Sequence, residues 1–246
     1  MAPAGIGDSL EGVHAVAAAV SAGRVRQMSV ERQRMRHTDV EELVATARRR
    51  GVAVDLVDDV RPQAATSAPQ GVVARARPIP LLSLNEAAEV GDPAAVLVLD
   101  HLEDPRNVGA IARSALAAGV RAMVVSDRRA APLGPTAFKT AAGALEHVGV
   151  AVVSSVADAV ARLRKRGLWI VGLDGSAEQS LFGCDLLTDP VAIVVGAEGA
   201  GLGQLVGDRL DAAVRIPLAD QVESLNASVA ASLAVFELAR LRGELD

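Results

Sequence analysis

Aromatic side chains are nearly absent from this chain. They make up 2% of its 246 residues: Trp169, Phe138, Phe182 and Phe236, with no tyrosine. That scarcity argues against a platform on which successive bases stack. Cys184 is the only cysteine, so neither an internal disulfide nor a multi-cysteine zinc site can form. No histidine pair stands at metal-ligand spacing with carboxylates, and no metal is expected. No apolar run reaches the roughly 18 residues of a membrane span. The first ten residues lack a basic start, and Asp8 and Glu11 precede the short apolar run Ala15–Val20, so no export signal is expected. These absences leave a soluble cytoplasmic protein as the expectation.

An overall excess of positive charge is missing too, since the net charge is −5. The distribution is uneven, however. Residues 1–80 carry eleven arginines against nine acidic residues, and Arg24, Arg26, Arg32, Arg34 and Arg36 crowd into one stretch. Guanidinium forks match phosphate geometry, so this run is a candidate nucleic-acid contact. A solvated surface face is the plain alternative.

Half the residues are hydrophobic, mostly Ala, Val and Leu, which suits helices covering a parallel sheet. Residues 11–23 read as a helix closed by Gly23. A short strand follows near Gln27–Val30, then a helix over Val40–Arg50, and strands at Val52–Val57 and Gly71–Ala76. This defines a small α/β unit, residues 1–77. Residues 78–92, opened by Arg77-Pro78-Ile79-Pro80, read as a linker with one helical turn. From residue 93 to 246, strands at Ala94–Leu99, Ala122–Val125, Val148–Val153, Leu168–Leu173, Val191–Val195 and Ala213–Pro217 alternate with helices. The helices are placed at Asn107–Ala118, Pro135–Leu145, Val156–Arg166 and Ser224–Arg242. The pattern predicts an α/β domain with a parallel sheet covered on both faces.

Three segments, each directly after a strand, carry candidate chemistry. Asp100–Arg113 holds Asn107, Gly109 and Arg113 as N-x-G-x-x-x-R; Asn107 as a helix cap is the plain reading. Ile193–Gly203, IVVGAEGAGLG, is a glycine-rich loop with one acid, Glu198. It matches neither G-x-G-x-x-G nor G-x-x-x-x-G-K-[ST], which argues against a nicotinamide-dependent oxidoreductase and a nucleoside-triphosphate loop. Ile216–Ala231, IPLADQVESLNASVAA, places Ser224 and Asn226 at the start of a helix, where capping by Ser224 is the plain reading.

Together, in this order and spacing, the three segments resemble the sequence motifs of the SpoU family of RNA ribose methyltransferases, within the SPOUT superfamily. The resemblance covers residues 93–246 and is strongest to the group acting on 23S ribosomal RNA guanosines. EGVHAV and QGVVARA resemble, less specifically, the family's small ribosomal-protein-like RNA-binding domain. Departures are Ala219 and Asp220 where glycine is frequent, Ser232 near a usual glycine, and Pro69 where the small domain carries histidine before Gln70-Gly71.

The resemblance implies a trefoil-knotted domain that binds S-adenosylmethionine and transfers its methyl group to a ribose 2′-hydroxyl. It implies cofactor contacts from Gly196, Ile216 and Leu225, with Val195, Ala197 and Leu218 beside them. A side chain at Gly196 is expected to block the cofactor's adenine or ribose. Arg113 is implied as the residue acting on the hydroxyl. Because arginine stays protonated, orienting the hydroxyl, stabilising an alkoxide, or acting with a substrate phosphate remain open. Asn107, Glu198, Ser224 and Asn226 are implied as positioning groups. Arg24, Arg26, Arg34, His14 and Arg106 are the candidate RNA contacts, with helix packing the alternative for His14. Of the remaining histidines, His101 stands nearest the motifs. A homodimer is implied, since family members build each site between subunits. A transfer RNA or antibiotic-resistance methyltransferase of the same fold, and a non-catalytic ribosome-assembly protein, are the competing readings.

Overall fold

The computed structural model describes residues 5–127, 133–197, 199 and 201–244. Its smaller unit comprises β1 (Ser9–Glu11), α1 (Val13–Ser21), β2 (Val25–Glu31), α2 (Thr38–Arg49), β3 (Ala53–Val57) and β4 (Val72–Ala76). The strands lie in the order β1-β4-β2-β3, with β2 and β3 parallel and the other pairs antiparallel.

The larger unit begins with β5 (Leu81–Leu82), α3 (Leu84–Ala87), β6 (Ala95–Leu99), α4 (Pro105–Ala117), β7 (Ala122–Ser126) and α5 (Pro135–Ala141). It continues through β8 (Gly149–Val153), α6 (Val156–Lys165), β9 (Trp169–Leu173) and β10 (Gln179–Ser180). It ends with β11 (Val191–Val195), α7 (Gln204–Gly207), β12 (Ala212–Arg215) and α8 (Ala227–Leu241). The eight strands run in the order β10-β12-β9-β11-β6-β7-β8-β5, and every neighbouring pair is parallel. Central β6 and β11 are buried at every residue. That explains their unbroken apolar runs: both faces of the sheet are covered. Residues 78–92, expected as a linker, instead supply edge strand β5, which pairs with β8, and α3, capped reciprocally by Ser83 and Glu86. Among the described residues no helix is long and apolar enough to cross a membrane.

Both helices next to the motifs start elsewhere than expected. Asp104 caps α4 by accepting the Arg106 N–H at 2.8 Å, with Pro105 in the first turn. Asn107 therefore lies inside the helix and is buried. Asn226, not Ser224, caps α8, accepting the Ser228 N–H at 2.8 Å.

One face of the large sheet is covered by α6 and α3, around Val98, Val124, Val160 and Leu163. The other face shares a single apolar cluster with the small unit, which joins Leu10, Val16 and Val44 to Ile111, Phe138, Leu145 and Leu238. Gly7, with φ 73°, lies against Phe138: a Cβ there would meet the ring at 2.4 Å.

Arg24 locks this junction, which corrects its expected role as an RNA contact. It is 6% exposed. Its Nε donates to Glu146 at 2.7 Å, and one terminal nitrogen donates to the carbonyls of Gly7, at 3.0 Å, and Arg77. Its guanidinium lies 5.9 Å from the Phe138 ring centre. A guanidinium committed to an internal carboxylate and two carbonyls is not offered to phosphate. Arg26 and His14, by contrast, are exposed, and Arg34 is half-buried against Gly71.

Candidate active site

The carboxyl ends of parallel strands gather unpaired backbone groups and helix starts, which is where α/β sheets hold ligands. Here the ends of β9 and β11 and the segment leading into α8 enclose a cavity of about 700 Å³. Leu173, Val195, Gly196, Ala197, Ser224 and Asn226 are among its lining residues. A smaller adjoining cavity of about 140 Å³ shares Leu173, Ser224 and Leu225, and adds Asp174, Ile216 and Leu218. All six residues expected to hold the cofactor thus line one of two adjoining spaces.

The glycine loop after β11 folds back on itself. Ala197 and Gly201 exchange backbone hydrogen bonds at 3.0 and 2.9 Å. Gly199 and Gly201 hold φ angles of 75° and 66°, a region that L residues rarely enter. A Cβ on Gly196 would come within 2.3 Å of the Gly201 carbonyl. The expected reason for glycine at this position therefore needs correcting. The first obstacle to a side chain is the loop's own backbone.

Asp100, fully buried at the end of β6, fixes this loop. Its carboxylate accepts the Gly203 N–H at 2.8 Å and its own N–H donates to the Val195 carbonyl at 2.8 Å. Its other carboxylate oxygen lies 2.6 Å from His101 Nδ1. The sequence reading passed over Asp100 as a site residue. An acid directly after a wholly apolar strand was the available signal.

The two motif asparagines meet. Asn226 Nδ2 donates to Asn107 Oδ1 at 3.2 Å while Asn226 Oδ1 caps α8, so α4 and α8 are tied at the cavity's edge. Nearly two turns further, Ser232 lies 2.7 Å from the Ser114 hydroxyl and 2.6 Å from the Ser228 carbonyl. A serine is thus accommodated in that part of α8. Arg113 is exposed on α4 and lines neither cavity. Six residues beyond Asn107, it projects about a third of a turn away from it. Glu198 lies outside the described residues.

Arg106 forks onto Asp104, and this guanidinium holds the Asp104 carboxyl below its ordinary value. The Ser176 hydroxyl and N–H do the same for Asp174 in the smaller cavity. Among the described residues no group of three or more histidine, cysteine or carboxylate side chains is placed to hold a metal ion.

Glycines of the loop after β11 face the start of α8 at the carboxyl ends of a parallel sheet, beside paired asparagines. The chain belongs to the SpoU rRNA methylase family, whose model matches residues 94–236. Residues 9–82 match a second family, RNA 2′-O ribose methyltransferase substrate binding. A 23S rRNA (guanosine-2′-O-)-methyltransferase, RlmB, of Xanthomonas axonopodis pv. citri is 39% identical, over 94% of this chain and 95% of that protein. The SpoU methyltransferase AviRb of Streptomyces viridochromogenes, solved in complex with AdoMet, superposes with a TM-score of 0.77 at 29% identity, over 96% of this chain and 90% of that one. A TrmH/SpoU tRNA modifying enzyme of A. aeolicus has a TM-score of 0.57 at 26% identity. It covers 65% of this chain and 81% of its own.

Proposed function

We propose that this chain transfers a methyl group from S-adenosylmethionine to the 2′-hydroxyl of a ribose in 23S ribosomal RNA, at a guanosine. The observation that carries this reading is the cavity where Gly196, Ala197, Gly199 and Gly201 face Ser224, Leu225 and Asn226. Bare glycine backbone suits a cofactor with many polar edges. S-adenosylmethionine would supply a methyl group already activated by its sulfonium, so the protein's task is alignment.

The harder demand is the nucleophile, because a ribose hydroxyl holds its proton far above neutral pH. Arg113 orients that oxygen and stabilises the charge forming on it. As a permanent cation it does not act as a free base. The Asn107–Asn226 pair ties α4, the helix that carries Arg113, to the start of α8. Glu198 would hold Arg113 by a charge-assisted bond.

Arg113 lines neither cavity in its own chain, which supports a site completed by a second copy. Val229 and Phe236, seven residues apart on α8, are 46% and 40% exposed and present an apolar face for that copy. The last strand, loop and helix are read as threaded into a trefoil knot. Arg26, Arg34, His14 and Arg106 are the proposed RNA contacts, and the cytoplasm the proposed location.

Ribosomal RNA is favoured over transfer RNA because the A. aeolicus tRNA enzyme aligns with only 65% of this chain, whereas RlmB spans nearly all of it. The test is transfer of labelled methyl from S-adenosylmethionine to unmodified 23S RNA, followed by nuclease digestion to identify 2′-O-methylguanosine. Cofactor binding with no transfer would favour a ribosome-assembly role.

A further inference from the structure

A third cavity, of about 420 Å³, opens on the other face of the sheet. It lies beyond the carboxyl ends of β6, β7 and β8. Asp100, His101 and Ser126 form its inner wall, Ser154 and Ser155 one side, and Gln204 and Leu205 its rim. The two spaces share a partition. Gly196, Ala197, Gly199 and Gly201 line the proposed cofactor cavity, while Gly203, Gln204, Leu205 and Val206 line this one.

Its chemistry is specific. Asp100 is the one carboxylate among the described residues that line it. Val156, Ala157 and Val206 supply apolar walls. Hydroxyls, an amide and one imidazole supply hydrogen-bonding groups. Leu205 stands 66% exposed at the rim.

His101 carries the argument furthest. Its backbone lies in the left-handed region, at φ 57°, which glycine would occupy with less strain. Its Nδ1 is held by the buried Asp100 carboxylate at 2.6 Å, while the side chain remains 44% exposed. The ring is therefore fixed in place with Nε2 left for another molecule. A fixed flat ring, apolar walls and hydroxyl and amide edges together match a nucleobase turned out of its stack.

We propose that this cavity receives an unstacked base of the substrate RNA, as the strand passes over the partition from the ribose presented at the cofactor. This rests on the reading of the chain as an RNA methyltransferase. The base makes its polar contacts with His101, Ser126 and Gln204 and packs on Leu205.

The test uses the full chain and a 23S RNA fragment that the unaltered protein binds and methylates. His101→Gly removes the ring while easing the backbone, and Leu205→Ala alters an exposed side chain, so neither is expected to unfold the protein. Each should weaken RNA affinity roughly tenfold, the scale of one lost base contact. The slope of log affinity against log salt should stay unchanged, since no phosphate contact is lost. Affinity for S-adenosylmethionine should also stay unchanged in Leu205→Ala. Free nucleosides should protect His101 in NMR titrations, and inorganic phosphate should not. Unaltered RNA affinity in both variants, or protection by phosphate alone, would overturn the base site and leave the methyltransferase reading standing. An unaltered protein that neither binds nor methylates RNA would overturn both.

Discussion

The carboxylate of Asp100 and the backbone N–H of Gly203 lie 2.8 Å apart, across 103 residues of sequence. Since Asp100 also bonds the Val195 carbonyl through its own N–H, one residue pins both ends of the loop that walls the cofactor cavity. Asp100→Ala should weaken S-adenosylmethionine binding by about ten- to a hundredfold, the scale of a lost hydrogen bond to a charged group. Asp100→Asn, which keeps an acceptor oxygen, should recover part of that loss. Calorimetric titration reads both; equal cofactor affinity in all three proteins would remove Asp100 from the loop's control.

The Arg24–Glu146 pair makes a prediction about stability rather than RNA. Arg24→Ala strands a buried carboxylate and should cost about 3–5 kcal/mol. Removing Glu146 as well should cost less than the two single losses combined. Urea unfolding measures this, and RNA-binding salt slopes should be the same for Arg24→Ala as for the unaltered chain.

Arg113→Ala should lower turnover by at least about a hundredfold, the loss seen when one charge-stabilising donor is removed. Cofactor affinity should stay within twofold. If a second copy supplies Arg113, mixing Arg113→Ala with Gly196→Ala should restore activity, because mixed dimers contain one intact site. No recovery after subunit exchange would place Arg113 and the cavity in the same chain.

Acid should loosen the anchor of α8. The Arg240 guanidinium, bonded to Glu237 at 2.8 Å, holds the Glu237 carboxyl below its ordinary value of 4.5. A carboxyl lowered by folding stabilises the folded state above its unfolded value. That contribution is lost as pH falls through the lowered one. Between pH 5 and pH 3, Glu237→Gln should therefore lose less stability than the unaltered protein, as read by thermal melting.

Much of the architecture was legible because central parallel strands are apolar at every position, as in Ala95–Leu99 and Val191–Val195. The ends of elements were less so. Asp104-Pro105 is a cap followed by a first-turn proline, and that signature was present in the sequence beside the more conspicuous Asn107. β1, β5 and β10 are too short to show a period, and their pairing depends on distant strands. Of the site, the glycine loop and the asparagines were readable as motifs. The second wall, Leu173 and Asp174, was hidden at a strand end with no motif. Arg24 was misjudged because a count of charges carries no information about burial; its partner Glu146 is 122 residues away.

The shared core under both units has a practical meaning. With Phe138 sealed beneath Gly7 and Arg24 bolted to Glu146, the arginine-bearing unit cannot swing freely over the catalytic sheet. On the proposed reading, the distance from the unit that would grip RNA to the place where it would be modified is built into the fold like the marks on a ruler. Target choice then becomes a matter of which ribose falls at that fixed span.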